Sequence, residues 1–420
     1  MSDHAFAEAL IGTGLLNDPW IDGEARCDPT PIVLSPERLR SLHDAAAATF
    51  RLHQEAVELF HTQPELRGFL NLTPVQELVW NASAPYWHGY ARADVFELED
   101  GGLAVCELNC DTPTGHPEAI ALNRVVLPDH AGLYDPNATI GPAMQALFAK
   151  VASGLPEGLP KRAGLLYPTE MAEDLGAVLL FQRWAEAVGF EVVLGSPFNL
   201  GSDATGQPTL AGAPISLLLR HYKTDWWTER IPVWQDAEPF EDSAPLAREL
   251  HLVLKAEMQG RLAIVNPFGA VIPQNKRVLA FLWERMDLFS EASRADIVRY
   301  IPESVRMEAM HPEQLLAERD LWVLKSDYGC EGDEVVIGLH CTQEEWELAL
   351  RMAVPGRWIA QRRFTPRIER DGRDVNWGVF GIAGVPHGCY ARLQHGHTDY
   401  SALSVPALVD GRLVGARSLD

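Results

Sequence analysis

The sequence has 420 residues, of which 47% are hydrophobic and 22% are charged, a composition typical of a folded globular protein with a large core. This composition excludes an intrinsically disordered chain, and at roughly 150 residues per domain the length predicts two or three lobes. The 58 acidic and 35 basic residues give a net charge of −23, which argues against nucleic acid and anionic membranes as partners, because both require a positive field.

The start of the chain and its cysteines favour a cytoplasmic protein. The first basic residue is Arg26, so the positively charged start of a signal or transit peptide is lacking. No apolar run approaches the roughly 20 residues that span a bilayer. The 6 cysteines are scattered without a CxxC pair, which is typical of reduced thiols rather than of a disulfide framework or a zinc site.

The pattern of apolar residues predicts mixed helices and strands, and hence an α/β or α+β fold with mixed sheets. The predicted elements are a helix over 35–65, a β-hairpin over 86–110, a β-α-β unit over 163–195, a strand over 215–220, a helix over 274–287 capped by Asn275, a helix over 342–354, and strands over 321–326, 334–339, 357–364, 375–384 and 388–394. Clusters of Pro, Gly and Asp predict surface loops over 196–214 and 231–245.

The hairpin brings charged residues onto one face. If the Asp-Gly pair at 100–101 is a two-residue turn, Asp94 faces Glu107 and Arg92 faces Asn109. All four side chains then point to the same side, because side chains alternate along a strand. Any loop of even length preserves this arrangement, whereas a loop of odd length would separate them.

Two carboxylates directly across a β-ladder repel each other unless a cation lies between them. Magnesium binds oxygen ligands and completes its shell with water and phosphate, so Asp94, Glu107 and Asn109 are candidate metal ligands. Arg92 beside them could hold a phosphate or a carboxylate in a two-pronged contact. The alternative is a solvated hairpin face that carries an Arg–Asp pair.

The segment after the hairpin, Cys-Asp-Thr-Pro-Thr-Gly-His, is polar and rich in turn-forming residues. Its hydroxyl residues Thr112 and Thr114 could donate hydrogen bonds to a small substrate. The alternative is an ordinary loop that follows the strand.

A second group of residues suggests contacts with phosphate. Lys325 ends a predicted strand before a loop that contains Gly329 and Gly332, and glycines let backbone amides approach phosphate oxygens. A plain β-hairpin is the alternative, since neither a P-loop nor a dinucleotide fingerprint is present. Lys276 lies in the first turn of a predicted helix, where a cation is unfavourable for the helix dipole. Its position therefore suggests an anion bound nearby, and chance placement is the alternative. In the strand 357–364, a planar base could lie against Ile359 or Phe364.

In this order along the chain, these motifs resemble the synthetase domain of the glutathionylspermidine synthase family, which are ATP-grasp amide ligases. The residues that carry the resemblance are Arg92 and Asp94, Glu107 and Asn109, Thr112 and Thr114, Pro273 to Lys276 before an apolar helix ending in Leu282-Trp283, Lys325 with Gly329 and Gly332, Gln361, and Gly388 with Arg392. They are distributed over residues 90–405, which is most of the chain.

The resemblance implies an ATP-grasp-like architecture with a preceding α/β domain. The bifunctional members of the family also carry an N-terminal amidase domain, for which we expect no room before the hairpin. The implied regions, packed as one compact unit, are a helical segment with a metal-binding hairpin (1–160), a pre-ATP-grasp-like α/β domain (161–260) and an ATP-grasp-like nucleotide-binding region (261–420).

The resemblance also implies ATP and Mg²⁺ as cofactors, and a carboxylate and an amine as small-molecule substrates. ATP would convert the carboxylate to an acyl phosphate, which the amine would attack to form an amide. The implied roles are magnesium binding for Asp94, Glu107 and Asn109, ATP binding for Lys276, Lys325, Gly329, Gly332 and Gln361, and contact with the reacting acyl phosphate for Arg92 and Arg392. The mechanism needs positioning and charge neutralisation rather than a protein nucleophile.

Differences from the family fall where substrate and phosphates would meet. The loop after Asn109 reads Cys-Asp-Thr-Pro-Thr rather than Ala-Asp-Ser-x-Ser, and the glycine loop after Lys325 lacks the proline and basic residue of relatives. These differences argue against glutathione and spermidine as substrates, but they do not by themselves remove ATP binding. A protein that binds nucleotide or a partner without ligation, and a metal-dependent kinase or hydrolase of small molecules, are the alternative functions.

Overall fold

The computed structural model describes residues 3–21, 23–83, 87–228, 230–241, 245–329, 334–396 and 402–413. Its α-helices are α1 (Asp3–Gly12), α2 (Pro36–Thr62), α3 (Pro74–Ala82), α4 (His116–Val126), α5 (Ile140–Ser153), α6 (Leu175–Ala187), α7 (Thr224–Trp227), α8 (Ala247–Met258), α9 (Val271–Gln274), α10 (Arg277–Glu284), α11 (Glu291–Tyr300), α12 (Pro312–Ala317) and α13 (Gln343–Met352).

The strands alternate with these helices along the chain and form mixed sheets, as predicted. They are β1 (Trp20–Ile21), β2 (Glu24–Ala25), β3 (Ile32–Leu34), β4 (Ala91–Glu97), β5 (Leu103–Asn109), β6 (Leu133–Tyr134), β7 (Arg162–Leu166), β8 (Glu191–Gly195), β9 (Leu200–Ser202), β10 (Pro208–Leu210), β11 (Ala213–Pro214), β12 (Leu217–Arg220), β13 (Ala263–Val265), β14 (Ser304–Arg306), β15 (Trp322–Ser326), β16 (Val335–Ile337), β17 (Trp358–Arg362), β18 (Ile368–Arg370), β19 (Arg373–Ile382), β20 (Val385–Gln394), β21 (Leu403–Val405) and β22 (Ala407–Asp410).

The largest sheet joins the predicted hairpin to the end of the chain. Its strand order is β21-β20-β19-β4-β5, with β18 paired to β19. The hairpin β4–β5 therefore lies beside the hairpin β19–β20, whose two strands have 10 residues each. Residues almost 300 positions apart in sequence become neighbours in this sheet.

A second sheet is parallel throughout and has the order β13-β12-β7-β8. The β-α-β prediction over 163–195 is confirmed as β7, α6 and β8. Strand β12 is buried along its whole length, as expected for a parallel strand that is covered on both faces. The carboxyl ends of β7 and β12 therefore lie at one edge of the sheet.

A third sheet, antiparallel with the order β14-β17-β15-β16, has its own core of tryptophans. Trp322, Trp346 and Trp358 are all buried, and the last two donate indole hydrogen bonds of 2.9 Å to Leu315 and Val233 carbonyls. Buried indoles with satisfied N–H groups fix the position of this sheet.

Two smaller sheets have the orders β3-β22-β6 and β11-β10-β9, and β1 pairs with β2. The prediction of a surface loop over 196–214 is wrong in part, because three short strands of this segment pair with one another. The Pro, Gly and Asp residues in the turns between these strands produced the loop signal.

Helix α2 covers the large sheet, and it matches the helix predicted over 35–65. The hydroxyl of Ser35 caps it by accepting from the Arg38 amide at 3.1 Å, and Pro36 occupies its first turn. Its buried side includes Phe50 and Phe60 and packs on β4, β5, β19 and β20. Among the helices in the described ranges, none is both long and apolar enough to cross a membrane.

Candidate functional site

The hairpin places four charged or polar side chains on one face, in the predicted pairs. Asp94 lies opposite Glu107, and Arg92 lies opposite Asn109. The route to this register differs from the prediction, because the next pair along the ladder is Val95 with Val105. Nearer the turn, each residue of β4 therefore pairs with the β5 residue one position earlier than predicted.

Two irregularities of the hairpin cancel each other. The loop has three residues, 99–101, because Leu98 and Gly102 still pair through a 3.0 Å hydrogen bond. Gly101 takes the left-handed conformation (φ 86°) that such a loop requires. This odd loop alone would separate the charged side chains, but a β-bulge at Cys106 adds one residue and restores their common face.

The carboxylate of Asp94 is buried between two arginines. Arg92 donates from Nε and Nη2 to its two oxygens at 2.8 and 3.2 Å, and Arg392 of β20 donates from Nη2 at 2.8 Å. Burial alone would raise the pKa of Asp94, but the charges and hydrogen bonds of the two arginines outweigh it and lower the pKa to about 2. The carboxylate is therefore fixed in its charged form.

The arginine beside Asp94 has room because β19 carries a glycine at the facing position. Gly378 pairs with Asp94, and a Cβ atom built on Gly378 would lie 2.8 Å from Cδ of Arg92. A third hydrogen bond, from Nη1 of Arg92 to the carbonyl of Thr114 at 3.0 Å, ties the hairpin to the loop that follows β5.

Glu107 faces two lysines of the C-terminal half. Nζ of Lys276 lies 3.6 Å from its Oε1 and donates to the carbonyl of Gly329. Nζ of Lys325, at the predicted position in β15, donates to the carbonyl of Cys106 at 3.0 Å. One ammonium group therefore pairs with Glu107, and the other lies at the backbone of the residue before it.

The start of α10 differs slightly from the helix predicted over 274–287. Lys276 is the residue before the first helical turn, and α10 ends at Glu284. The N-cap residue is therefore Lys276 and not Asn275 as predicted, although Oδ1 of Asn275 accepts from the Arg277 amide at 2.8 Å. The backbone amide of Lys276 donates to the Asp327 carbonyl at 2.9 Å, which fixes Lys276 beside the loop after β15.

A cavity of about 970 Å³ lies where the large sheet, the third sheet and the carboxyl edge of the parallel sheet meet. Ten residues predicted for the site line it: Arg92, Asp94, Glu107, Asn109, Thr112, Thr114, Lys325, Gly329, Gln361 and Arg392. Lys276 lies behind this wall with its side chain only 3% exposed. Gly332 lies outside the described residues.

Gln361 and two aromatic rings form the part of the cavity that suits a planar ring. Nε2 of Gln361, on β17, donates to the hydroxyl of Ser304 at 3.1 Å. Phe364 lies 5.2 Å from Phe96 between ring centroids, and both rings line the cavity. Ile359, the other residue predicted to contact a base, is fully buried in the sheet and is not among the residues that line the cavity.

The loop that carries Thr112 and Thr114 is anchored by residues that the sequence did not reveal. Asp111 is buried and accepts from Arg220, and from the amide and hydroxyl of Thr224 at 2.6 and 2.7 Å. Burial would raise the pKa of Asp111, but the charge and hydrogen bond of Arg220 and the bonds from Thr224 lower it.

Two amide side chains complete this anchoring. Oε1 of Gln274 accepts from the amides of Cys110 and Asp111 at 2.7 and 2.9 Å. Nδ2 of Asn266 donates to the carbonyls of Cys110 and Tyr90 at 2.8 and 3.0 Å. Gln274 was visible only as the variable position of the Pro-x-Asn-Lys motif, and Asn266 carried no signal.

The cavity also contains residues from the carboxyl edge of the parallel sheet. His221, Asp174, Asp225 and Trp226 line it there. Their positions in the sequence were informative, because His221 directly follows a buried strand while Asp174 and Asp225 lie at helix starts. Ligand sites of α/β proteins form at such places.

The donors near Glu107 suit a magnesium ion bound together with phosphate oxygens. Glu107 and Asn109 both line the cavity. The amide oxygen of Asn109 is the atom that can bind the ion, whereas its Nδ2, buried without a hydrogen-bond partner in the described part of the chain, is a donor suited to a phosphate oxygen. Magnesium is held by one or two carboxylates plus phosphate and water, which Glu107 with Asn109 can provide. Asp94, the third candidate, is engaged by both arginines. No group of three or more His, Cys, Asp or Glu residues positioned for a metal occurs among the described residues.

Comparisons with known proteins assign the chain to a family. Residues 21–410 match the family described as glutathionylspermidine synthase preATP-grasp. A search of the curated proteins gave no match.

Among the solved structures that match the chain, the first described here is similar in fold. A glutathione synthetase-like effector from Globodera pallida, solved in its apo form, has a TM-score of 0.60 at 10% identity and covers 96% of this chain and 95% of its own. A protein assigned as a gamma-glutamylcysteine synthetase from Methylobacillus flagellatus has a TM-score of 0.47 at 13% identity and covers 90% of this chain and 87% of its own. The family match spans nearly the whole chain, and the protein belongs to the glutathionylspermidine synthase preATP-grasp family.

Proposed function

We propose that the protein is an ATP- and Mg²⁺-dependent ligase that joins a small carboxylic acid to an amine through an acyl phosphate. The observation that carries this proposal is that one cavity is lined by Arg92, Arg392, Lys325, Glu107 and Asn109 together. Phosphoryl transfer relies on positioning and on neutralising the charge of the transferred group, and this set of residues supplies both. Membership of a synthetase family supports the same reaction class.

Lys325, Lys276 and Gly329 are proposed to bind the ATP phosphates. Lys325 lines the cavity, and Lys276 reaches the carbonyl of Gly329 from behind it. An ammonium next to a glycine loop is the arrangement that neutralises and cradles phosphate oxygens. Gly332, in the same loop, is proposed to contribute as well. Gln361 on β17 is proposed to lie near the adenine.

Glu107 and Asn109 are proposed to hold Mg²⁺, with Asp94 as a third ligand that the two arginines orient. The ion supplies the charge that draws electrons from the phosphoryl group. Glu107 is the residue best placed for this role, because its carboxylate is 19% exposed toward the cavity while that of Asp94 is only 7% exposed.

Arg92 and Arg392 are proposed to hold the acyl phosphate, and Thr112 and Thr114 to contact the substrate. Both guanidinium groups are oriented by Asp94 and line the cavity, and Nε of Arg392 is buried without a hydrogen-bond partner among the described residues. Donors fixed before the reaction stabilise the charge that develops in the transition state at little cost in reorganisation.

The test is a screen for acid-dependent ADP formation. The purified protein is incubated with ATP and Mg²⁺ and with pairs drawn from a panel of carboxylic acids and amines. The proposal expects ADP, phosphate and an amide for at least one pair, and no amide without the acid. Tight ATP binding with no ADP formed for any pair would indicate a nucleotide-binding protein instead. Phosphate release or a stable phosphorylated product without any amine would indicate a hydrolase or a kinase.

A further inference from the structure

His221 lies at the edge of the cavity formed by the parallel sheet. It follows β12 directly, and its backbone amide donates to the carbonyl of Leu166, the last residue of β7, at 2.8 Å. The side chain lines the cavity together with that of Asp174, which precedes α6. Ligands of open α/β sheets bind at this carboxyl edge of the strands.

The imidazole of His221 is held next to a carboxylate. Its Nε2 lies 3.1 Å from Oδ1 of Asp174, and the side chain is 4% exposed while that of Asp174 is 22% exposed. The ring of Phe181 lies beside the imidazole, with 6.0 Å between centroids. A neighbouring carboxylate fixes the orientation of an imidazole and, by pairing with Nε2, leaves Nδ1 as the ring nitrogen that can accept a proton.

Asp174 is the charged group that contacts His221 directly, and the other titratable groups nearby are paired with each other or neutral. The groups on the elements packed against it are Asp174 before α6, His116 of α4, Arg220 paired with Asp111, and Lys223 lying 3.8 Å from Asp225. Burial, followed by the charges of Arg92 and His221, lowers the pKa of His116 to about 3, so His116 stays neutral at physiological pH.

His221 lies next to the loop that follows the hairpin. Thr112, Pro113 and His221 border the same small gap, of about 10 Å³. The carbonyl of Thr114, two residues further along, accepts from Arg92. His221 and the arginine proposed to hold the acyl phosphate therefore contact the same short loop from two sides.

Amide formation requires a proton acceptor on the amine side. An alkylamine is protonated at neutral pH, and its nitrogen has no lone pair until one proton leaves. We propose that His221 accepts this proton from the bound ammonium, with Asp174 as its positioning residue; this inference rests on the proposed ligase function. The freed lone pair then forms the C–N bond as the C–O bond to phosphate breaks. The second proton leaves with the phosphate as HPO₄²⁻, and His221 returns its proton to solvent.

His340, a second histidine at the cavity, is a weaker candidate for this role. It lies after β16 on the side of Lys325 and Gly329, where phosphates are proposed to bind, and it is exposed. His221 is on the opposite side, enclosed and next to a carboxylate.

The experiment compares two nucleophiles in His221→Gln, with the acid and alkylamine identified by the screen described above. Hydroxylamine is already unprotonated at neutral pH and traps an acyl phosphate as a hydroxamate without a base. Because a general base contributes roughly 10²–10⁴-fold, we expect His221→Gln to lower amide formation at least ~100-fold. Hydroxamate formation should stay within about threefold of wild type, since it needs no base. The amide rate of the variant should rise with pH, as more amine is unprotonated.

Matched variants separate a chemical role from a structural one. His251→Gln changes an exposed histidine on α8 and should leave both rates unchanged. Asp174→Asn should reduce the amide rate less than His221→Gln and leave the hydroxamate rate unchanged. Thermal unfolding of each variant establishes that it is folded.

Four results would overturn the inference. Equal losses with both nucleophiles would mean that His221 supports acyl phosphate formation or the fold, and an unchanged amide rate would exclude it as the base. Hydroxamate without amide from any alkylamine in the wild-type protein would mean that no such amine is a substrate. Absence of both products in the wild-type protein would overturn the ligase function itself, and the inference with it.

Discussion

Asp94 and Arg392, 298 residues apart in the sequence, meet through a 2.8 Å hydrogen bond from Nη2 to Oδ2. Arg92 holds the same carboxylate from within its own strand. The three side chains join the N-terminal hairpin to β20 and aim two guanidinium groups at the cavity. This contact makes the hairpin and the C-terminal strands a single functional unit.

Replacing Asp94 with Asn should destabilise the protein. The variant leaves the guanidinium groups of Arg92 and Arg392 without their buried counter-charge, and breaking such a pair costs roughly 3–5 kcal/mol. Urea denaturation of the variant measures this loss. Glu99→Gln, in the exposed hairpin loop, is the control and should change the free energy of unfolding by less than about 0.5 kcal/mol. A variant as stable as the wild type would mean that the arginines do not depend on Asp94.

Lowering the pH should remove part of the stability that Asp94 contributes. The pKa of Asp94 is lowered from 3.8 to about 2 in the folded protein, so its contribution is fully present above about pH 4 and is lost as the pH falls through 2. A shift of this size corresponds to roughly 2 kcal/mol. The free energy of unfolding of wild type minus that of Asp94→Asn, measured from pH 5 to pH 2, should shrink by this amount. A difference that is independent of pH would contradict the assignment.

Adding a methyl group at Gly378 should displace Arg92. A Cβ atom there would lie 2.8 Å from Cδ of the arginine, so Gly378→Ala should cost about 1–3 kcal/mol through overpacking. Because the guanidinium moves, acid-dependent ADP formation should fall more than stability alone explains. Gly12→Ala, at a position with no atom within 4 Å of the added Cβ, is the matched control. Normal turnover in Gly378→Ala would separate Arg92 from the reaction.

Local patterns were sufficient to predict the elements that carry the site. The helix over 35–65, the hairpin and the β-α-β unit each have their determinants within a short stretch, such as Ser35 at a helix start. The pairing of Asp94 with Glu107 was predicted although the loop length was wrong, because the bulge at Cys106 compensates for the odd loop. A bulge of this kind has no strong sequence signature.

Contacts between distant segments could not be predicted from periodicity. The contact of Arg392 with Asp94, and the anchoring of Asp111 by Arg220, depend on which strands become neighbours in the folded sheets. Propensity and turn signals describe stretches of about ten residues and contain no information on such pairing. The location of Lys276 behind the cavity wall has the same cause, because it follows from the packing of α10 against the third sheet.

The central claim is that Glu107 holds a magnesium ion that ATP shares, and calorimetry tests it directly. A non-hydrolysable ATP analogue is titrated into wild type, Glu107→Gln and the control Glu99→Gln, each with and without Mg²⁺. We expect binding to wild type and to the control to strengthen with Mg²⁺, and Glu107→Gln to lose at least ~10-fold in the presence of Mg²⁺, since it removes a charged ligand while the fold stays intact. Equal binding by all three proteins with Mg²⁺, or no binding by the wild type, would contradict the claim.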